Sequence, residues 1–153
     1  MGSNDRIWKP NVTVAAIVER EGQFLLVEEE TSAGVRYNQP AGHLEPEESL
    51  LDAVVRETLE ETAWGFTPTA LIGVYQYRHP GDDVTYLRFA FTGNLADHQP
   101  QRPLDDGILR ALWMPVAEVR ACRNLHRSPL LMQCVDDHLA GRRYPLDLIR
   151  HHA

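Results

Sequence analysis

Residues 42–65 read GHLEPEESLLDAVVRETLEETAWG, a segment that places three glutamates on one helical face. If residues 49–62 form a helix, Glu57, Glu60 and Glu61 stand at positions i, i+3 and i+4 and share that face. Carboxylates stacked in this way repel one another unless a cation lies among them. Hard divalent cations such as Mg²⁺ prefer oxygen-rich clusters of this kind, usually with substrate phosphates completing the coordination. The segment therefore predicts a metal-dependent enzyme that acts on phosphates.

A solvated, glutamate-rich surface helix is the alternative interpretation, because most charge runs are exposed. On that interpretation Arg56 and Glu60 form an ordinary i, i+4 ion pair. Glu48 would favour the helix dipole from the first turn, and Gly42 would serve a turn. The complete spacing from Gly42 to Glu61, G-x5-E-x7-R-E-x-x-E-E, favours the metal site because chance rarely places so many fixed residues at set intervals.

The same segment resembles the Nudix box, G-x5-E-x7-R-E-U-x-E-E-x-G-U, in which U is a bulky apolar residue. The leading glycine and all the charged positions of that pattern match. Thr58 stands at the first U position, and Ala63 stands where the pattern has its second glycine. Gly65 follows two residues later. Because a glycine after a helix favours a left-handed C-cap, we expect the helix to extend past residue 62 and to end at Gly65.

The resemblance implies a set of metal ligands on and beside the helix. They are Glu57, Glu60, Glu61, Glu48 and Gly42. Glu48 would support the metal directly or through water. Gly42 would bring a backbone carbonyl to the metal, a close approach that a side chain would obstruct. The implied cofactor is Mg²⁺, with Mn²⁺ as a substitute.

The resemblance also implies catalytic roles for Glu57 and Arg56. Glu57 would act as the base that deprotonates water in addition to binding metal. Arg56 would orient Glu57 or Glu48 through a charge-assisted hydrogen bond, for which its forked guanidinium is suited. The activated water would attack a phosphorus atom, and positioning and electrostatics would provide most of the catalysis.

Two acidic pairs outside the box are further candidates, because many Nudix proteins add an acidic residue from a loop. Asp105 and Asp106 precede a predicted strand, and Asp82 and Asp83 lie at a predicted hairpin tip. Either pair could instead be a solvated turn.

Substrate recognition has weaker candidates. Arg36 and Arg88 could bind phosphates, although an arginine on a strand often only covers a sheet face. Aromatic side chains that could stack on a base or a pyrimidine ring are Tyr37, Tyr75, Tyr77 and Trp113. At strand spacing, however, such aromatic residues more often belong to the core.

The coarse pattern of the chain predicts a mixed α/β (α+β) domain. Strands are predicted at 11–18, 23–28, 70–77, 85–92 and 108–114, with residues 29–38 as a loop. Three helices are predicted: residues 49–62, with Ser49 as the N-cap; a short helix that begins at residue 115; and residues 128–140. The order β-β-α-β-β-β-α-α fits a mixed β-sheet sandwiched between helices, and the Nudix resemblance implies the same fold.

Composition limits the partners. The 153-residue chain has 22 acidic and 15 basic residues, a formal net charge of −7 at pH 7. This balance argues against nucleic acid or an anionic membrane as a partner, and we expect the partner to be a small phosphorylated molecule.

Cys122 and Cys134 are too few for a disulfide framework or a zinc site, so we expect a cytoplasmic location. The length predicts one domain, residues 1–153, as a monomer or a homodimer.

Four segments outside the Nudix box point to one subgroup of Nudix proteins. They are NQPAGHLE (38–45), LRFAF (87–91), RSPL (127–130) and RYPLDLI (143–149). These segments are similar to those of bacterial phosphatase-type Nudix hydrolases. That similarity implies release of orthophosphate from nucleoside tri- and diphosphates and from hydroxymethylpyrimidine diphosphate, a thiamine precursor.

Two competing functions stay open. The first is a Nudix pyrophosphohydrolase that cuts ADP-ribose, nucleoside diphosphate sugars or dinucleoside polyphosphates. The second is a Nudix-like module that senses nucleotides without cutting them. Such modules typically lose box glutamates, whereas this chain keeps every one of them.

Overall fold

The computed structural model describes residues 6–153 of the chain. Its strands are β1 (Asn11–Ala16), β2 (Glu19–Arg20), β3 (Gln23–Thr31), β4 (Gly34–Asn38), β5 (Ala41–His43), β6 (Gly65–His79), β7 (Val84–Ala96) and β8 (Ile108–Pro115). Its α-helices are α1 (Leu50–Thr62), α2 (Val116–Ala121) and α3 (Leu130–Leu139), and short 3₁₀ turns cover Arg123–Leu125 and Leu146–Leu148. No helix within residues 6–153 combines the length and the apolar character that crossing a membrane requires.

The strands form two four-stranded sheets. The first sheet has the order β5-β1-β7-β6, in which β1 and β7 are parallel and the other neighbours are antiparallel. In the second sheet β3 pairs with β2, β4 and β8, all antiparallel. The chain passes from the second sheet to the first at Gln39–Pro40, between β4 and β5.

The core lies on both faces of the strands. Val14 and Ala16 of β1 belong to one buried cluster, which includes residues of α1. Ala15 and Ile17 belong to a second buried cluster, which includes residues of α2 and α3. Because successive side chains of a strand point to opposite faces, the sheet layer lies between α1 on one side and α2 and α3 on the other. The predicted fold class, a mixed sheet sandwiched between helices, is confirmed.

The predicted loop at 29–38 is wrong. β3 continues to Thr31, and β4 occupies Gly34–Asn38, so the segment is a β-hairpin. The Thr31 hydroxyl closes its turn, accepting from the Ala33 N–H at 3.1 Å and donating to the Gly34 carbonyl at 2.6 Å. Backbone pairing holds this hairpin, and its polar side chains lack the apolar alternation by which strands are recognised in a sequence.

The predicted end of the box helix is also wrong, whereas its predicted start is confirmed. Ser49 caps α1, because its hydroxyl accepts from the Asp52 N–H at 3.0 Å. The helix ends at Thr62, and Ala63 itself adopts the left-handed conformation, with φ +64°. Gly65 already begins β6, where an added Cβ would lie 2.9 Å from a backbone carbonyl. Ala63 therefore takes the conformation that a glycine usually supplies.

Candidate active site

A cavity of about 520 Å³ opens beside the crossing between the two sheets. Helix α1 contributes Arg56, Glu57 and Glu61 to its lining. The strands contribute, among others, Thr13, Arg36, Asn38, Gly42, Tyr77, Tyr86 and Arg88. The cavity thus has an acidic side formed by α1 and a side with arginines formed by the strands.

The glutamates of α1 are held close to the backbone of the crossing segment. Glu57 and Glu61 are buried, with 8% and 9% of their surfaces exposed. One Glu61 oxygen accepts from the Ala41 N–H at 3.0 Å. Glu57, Glu60 and Asp105 offer carboxylate oxygens that all lie within 4.8 Å of one another. The helix and a distant loop therefore build one acidic cluster.

Asp105 reaches this cluster because its backbone is tied to α1. Its N–H donates to the Glu60 carbonyl at 3.0 Å. Of the two acidic pairs considered from the sequence, the structure therefore brings Asp105 to the glutamates. Asp82 lines the cavity elsewhere, and its carboxylate accepts from the Val84 N–H at 3.2 Å.

Arg56 connects the carboxylates of the box. Its Nε and Nη2 donate to the two oxygens of Glu48, at 2.6 and 2.9 Å. Its Nη1 donates to Glu57 at 2.6 Å and to Glu60 at 3.0 Å. The i, i+4 pair with Glu60 exists, but Arg56 hydrogen-bonds three carboxylates and also lies within ion-pair distance of a fourth, Glu45, at 3.4 Å. Arg56 thus contacts Glu48 and Glu57 at once, and its role in orienting them stays a prediction.

Gly42 lies directly under the Glu57 carboxylate. A Cβ at position 42 would be 1.4 Å from Glu57 Oε2, a distance that no side chain tolerates. The absence of a side chain is therefore what allows Glu57 to fold back over β5. The proposed metal contact of the Gly42 carbonyl remains a prediction.

Gly42→Ala should displace the Glu57 carboxylate and lower kcat/KM by roughly 100-fold, since a shift of about 1 Å in a catalytic group has an effect of this size. The measurement is steady-state turnover of the expected phosphorylated substrates, with thermal unfolding in parallel. Gly81→Ala is the control, because Gly81 lies in the exposed β6–β7 turn and an added Cβ meets only the His79 ring. Equal activity of the two variants would contradict the steric role of Gly42.

Burial makes the cluster hard to ionise. It raises the pKa of Glu57, which the neighbouring Arg56 partly opposes. Burial also raises the pKa of Glu61 to about 8. The pKa of Asp105 is raised by burial and then by the charge of Glu60. A single arginine does not neutralise so many carboxylates, and an oxygen-only donor set of this charge fits a divalent cation such as Mg²⁺. Glu57, Glu60 and Asp105 are the residues that would hold it.

We expect the metal-free protein to lose stability as the pH rises from about 4.5 towards about 8. The folded state holds a proton on Glu61 in this range, because its pKa is raised from 4.5 to about 8, whereas the unfolded state releases it. The folded state thus binds more protons, and the free energy of unfolding falls with rising pH. Glu57 acts in the same direction.

Thermal unfolding in EDTA between about pH 5 and pH 8 measures this loss, and Glu61→Gln should flatten it. Mg²⁺ should raise Tm more at the higher pH, because a bound cation favours the ionised carboxylates. A Glu61→Gln variant with the same pH profile as the unmodified protein would refute the assignment.

The substrate-binding candidates separate into two groups. Arg36 and Arg88 line the cavity. Tyr37 and Tyr75 lie outside it and pack against the α3-side core. The Tyr75 hydroxyl donates to Asp137 of α3 at 2.7 Å. The structure therefore brings the two arginines, and not the two tyrosines, to the acidic cluster's cavity.

Other aromatic residues line the cavity instead. Tyr77, considered from the sequence, and Tyr86, which was missed, are both part of the lining and pair across β6 and β7. Trp113 lies against the Arg20 guanidinium, 4.6 Å from the ring centre, and is not in the lining. Tyr86 stands two residues before Arg88 on β7, so the two-residue period of a strand could have indicated that they share a face.

The chain matches the NUDIX domain family over residues 8–134, which contain the whole acidic cluster. It belongs to the Nudix family. This Nudix protein is 41% identical to phosphatase NudJ of Escherichia coli K12 over 143 residues, which cover 94% of this chain and 92% of that protein. The predicted membership of the family is confirmed.

Solved Nudix structures share the fold. A NUDIX hydrolase from Nitrosomonas europaea superimposes with a TM-score of 0.92 at 49% identity, covering 94% of this chain and 98% of that one. A UDP-X diphosphatase superimposes with a TM-score of 0.73 at 17% identity, covering 94% of this chain and 69% of that one, and shows the fold alone. This Nudix protein is therefore an enzyme, a hydrolase that acts on pyrophosphate bonds, as predicted.

Proposed function

We propose that this Nudix hydrolase uses Mg²⁺ to release orthophosphate from nucleoside tri- and diphosphates and from hydroxymethylpyrimidine diphosphate. The observation that carries the proposal is the cavity with two kinds of wall. Glu57 links the acidic cluster to the lining, while Arg36 and Arg88 line the same space. A phosphate chain fits such a space, because a divalent cation and arginines both bind its oxygens. The relative named phosphatase NudJ supports orthophosphate as the product.

The proposed reaction assigns the proton transfer to Glu57. Its carboxylate accepts a proton from the attacking water. Arg56 holds that carboxylate against Gly42 through the 2.6 Å contact, so that it cannot turn away. When bound, Mg²⁺ neutralises charge on the phosphate oxygens and lowers the pKa of a water ligand.

A pyrophosphohydrolase acting on ADP-ribose, nucleoside diphosphate sugars or dinucleoside polyphosphates is the second candidate. The Nudix domain of NrtR from Shewanella oneidensis has been solved with ADP ribose and superimposes with a TM-score of 0.71. At 17% identity that likeness concerns the fold alone. The retained glutamates and the Asp105 contact support hydrolysis over sensing without turnover.

An orthophosphate-release assay with products identified by mass tests the proposal. The substrates are nucleoside tri- and diphosphates, hydroxymethylpyrimidine diphosphate, thiamine diphosphate, ADP-ribose and a diadenosine polyphosphate, each with Mg²⁺, with Mn²⁺ and with chelator. We expect orthophosphate from the first four, lost with chelator. Cleavage confined to ADP-ribose or the dinucleotide would replace the phosphatase with the pyrophosphohydrolase.

We further propose that residues 1–153 act as one cytoplasmic domain, as a monomer or a homodimer, on a small phosphorylated substrate. Cys122 and Cys134 are both free thiols in the structure, which supports a reducing compartment. Size-exclusion chromatography with light scattering distinguishes the monomer from the dimer.

A further inference from the structure

Arg88 is a buried cation without an acidic partner. Only 5% of its surface is exposed. Its Nη1 donates to the Gln39 side-chain oxygen at 2.8 Å, and its Nη2 donates to Asn38 Oδ1 at 3.1 Å. Within residues 6–153 no carboxylate lies within ion-pair distance of Arg88. The side chains that contact this guanidinium, Gln39, Asn38 and Cys134, carry no carboxylate, so its charge has no direct ion-pair partner among the described residues.

The other arginines of the cavity differ from Arg88. Arg56 is committed to the box carboxylates, and Arg127 pairs with Glu29 at 2.7 Å. Arg36 donates to a backbone carbonyl and is less buried than Arg88. Among the described residues that line the cavity, Arg88 is thus the buried arginine that lacks an anion.

Arg88 lies at a distance from the acidic cluster that suits a second group of a substrate. On neighbouring strands of the first sheet, Thr13 is in register with both His43 and Arg88. His43 follows Gly42, the residue beneath the Glu57 carboxylate. Two strand spacings, about 10 Å, therefore separate the β5 backbone beneath the Glu57 carboxylate from the β7 backbone at Arg88. A phosphate chain with its attacked phosphate at the cluster can extend over this distance.

We propose that Arg88 binds an anionic phosphate oxygen of the substrate, on a phosphate other than the one that is attacked. A buried charge without a counterion is unfavourable, and a phosphate oxygen supplies both the missing charge and hydrogen-bond acceptors. This inference rests on the proposed function, because it takes a phosphorylated substrate as the occupant of the cavity. The competing explanation is structural: Arg88 would only brace Asn38 and Gln39 where the chain crosses between the sheets.

Asn38→Asp separates these explanations. The substitution is isosteric and keeps the oxygen that accepts from Arg88 and from the Gln39 N–H. It adds a carboxylate that neutralises Arg88 in place, which strengthens a structural brace but removes an anion site. Ser32→Asp is the matched control, because Ser32 lies on the exposed rim of the same cavity and gains the same charge.

The measurement is calorimetric binding of imidodiphosphate in the presence of Mg²⁺, which requires no turnover. We expect Asn38→Asp to weaken binding by about 10- to 100-fold, the effect of losing a charge-assisted hydrogen bond, with Tm unchanged or raised. Ser32→Asp should weaken it less than threefold. Arg88→Lys, which keeps the charge without the fork, should bind better than Asn38→Asp.

Binding to Asn38→Asp within threefold of Ser32→Asp would overturn the proposal, as would no binding of imidodiphosphate to the unmodified protein. An Arg88→Lys variant that binds no better than Asn38→Asp would also count against a charge-based site. Because the binding measurement needs no turnover, it can still be interpreted if the phosphatase assay gives no orthophosphate. The two proposals can therefore be refuted independently.

Discussion

Glu57→Gln is expected to reduce kcat by at least roughly 1,000-fold, because the substitution removes both a general base and a charge of the acidic cluster. Glutamine keeps the size of the side chain and so still fits over Gly42. It also removes a carboxylate whose burial is unfavourable, so the metal-free variant should be at least as stable as the unmodified protein. Loss of activity with retained stability is the combined result that identifies Glu57 as catalytic.

The measurement is orthophosphate release at saturating substrate and Mg²⁺. Thermal unfolding is recorded on the same samples. Glu30→Gln is the control, since Glu30 is an exposed glutamate of β3 outside the cavity lining. Turnover within tenfold of the unmodified enzyme would refute the role given to Glu57 and would move the base to another member of the cluster.

Arg56→Met should affect stability and activity together. Its removal leaves Glu48, Glu57 and Glu60 without their shared cation, and two of these carboxylates are largely buried. Breaking a partly buried network of this kind lowers the free energy of unfolding by about 3 kcal/mol. kcat/KM should fall by roughly 100-fold, because Glu57 loses the contact that orients it.

Urea unfolding and steady-state kinetics measure the two effects of Arg56→Met. Arg56→Lys should recover part of the stability, since a lysine keeps the charge but cannot bind two oxygens of Glu48 at once. Arg110→Met is the control, because the exposed Arg110 makes only a 3.4 Å contact with Glu28 and its loss should have a small effect. A network role is excluded if Arg56→Met and Arg110→Met unfold at the same urea concentration.

The helical part of the site was predictable because it depends on local geometry. Glu57, Glu60 and Glu61 share a face through the helix period alone, and the capping role of Ser49 depends only on the residues that follow it. Local geometry did not predict which acidic residue outside the box joins the cluster. The choice of Asp105 depends on a hydrogen bond to Glu60 from a loop 45 residues further along the chain, and nothing local to that loop records this contact.

The aromatic side of the cavity shows the same limit. Tyr75 and Tyr77 lie on the same face of β6, because they are two residues apart. Asp137 of α3 covers Tyr75, whereas Tyr77 opens to the cavity. The strand period predicts the shared face, but only the position of α3 decides which ring a substrate can reach.

The hydrogen bond from the Ala41 N–H to Glu61 provides a natural reporter of the site. The amide belongs to the backbone, yet its acceptor is a carboxylate of α1, so its resonance frequency and its exchange with solvent follow the state of that carboxylate. Ionisation of Glu61, which lies beside the acidic cluster, can therefore be followed by NMR at one backbone amide, without an added chromophore. The enzyme carries its own spectroscopic probe.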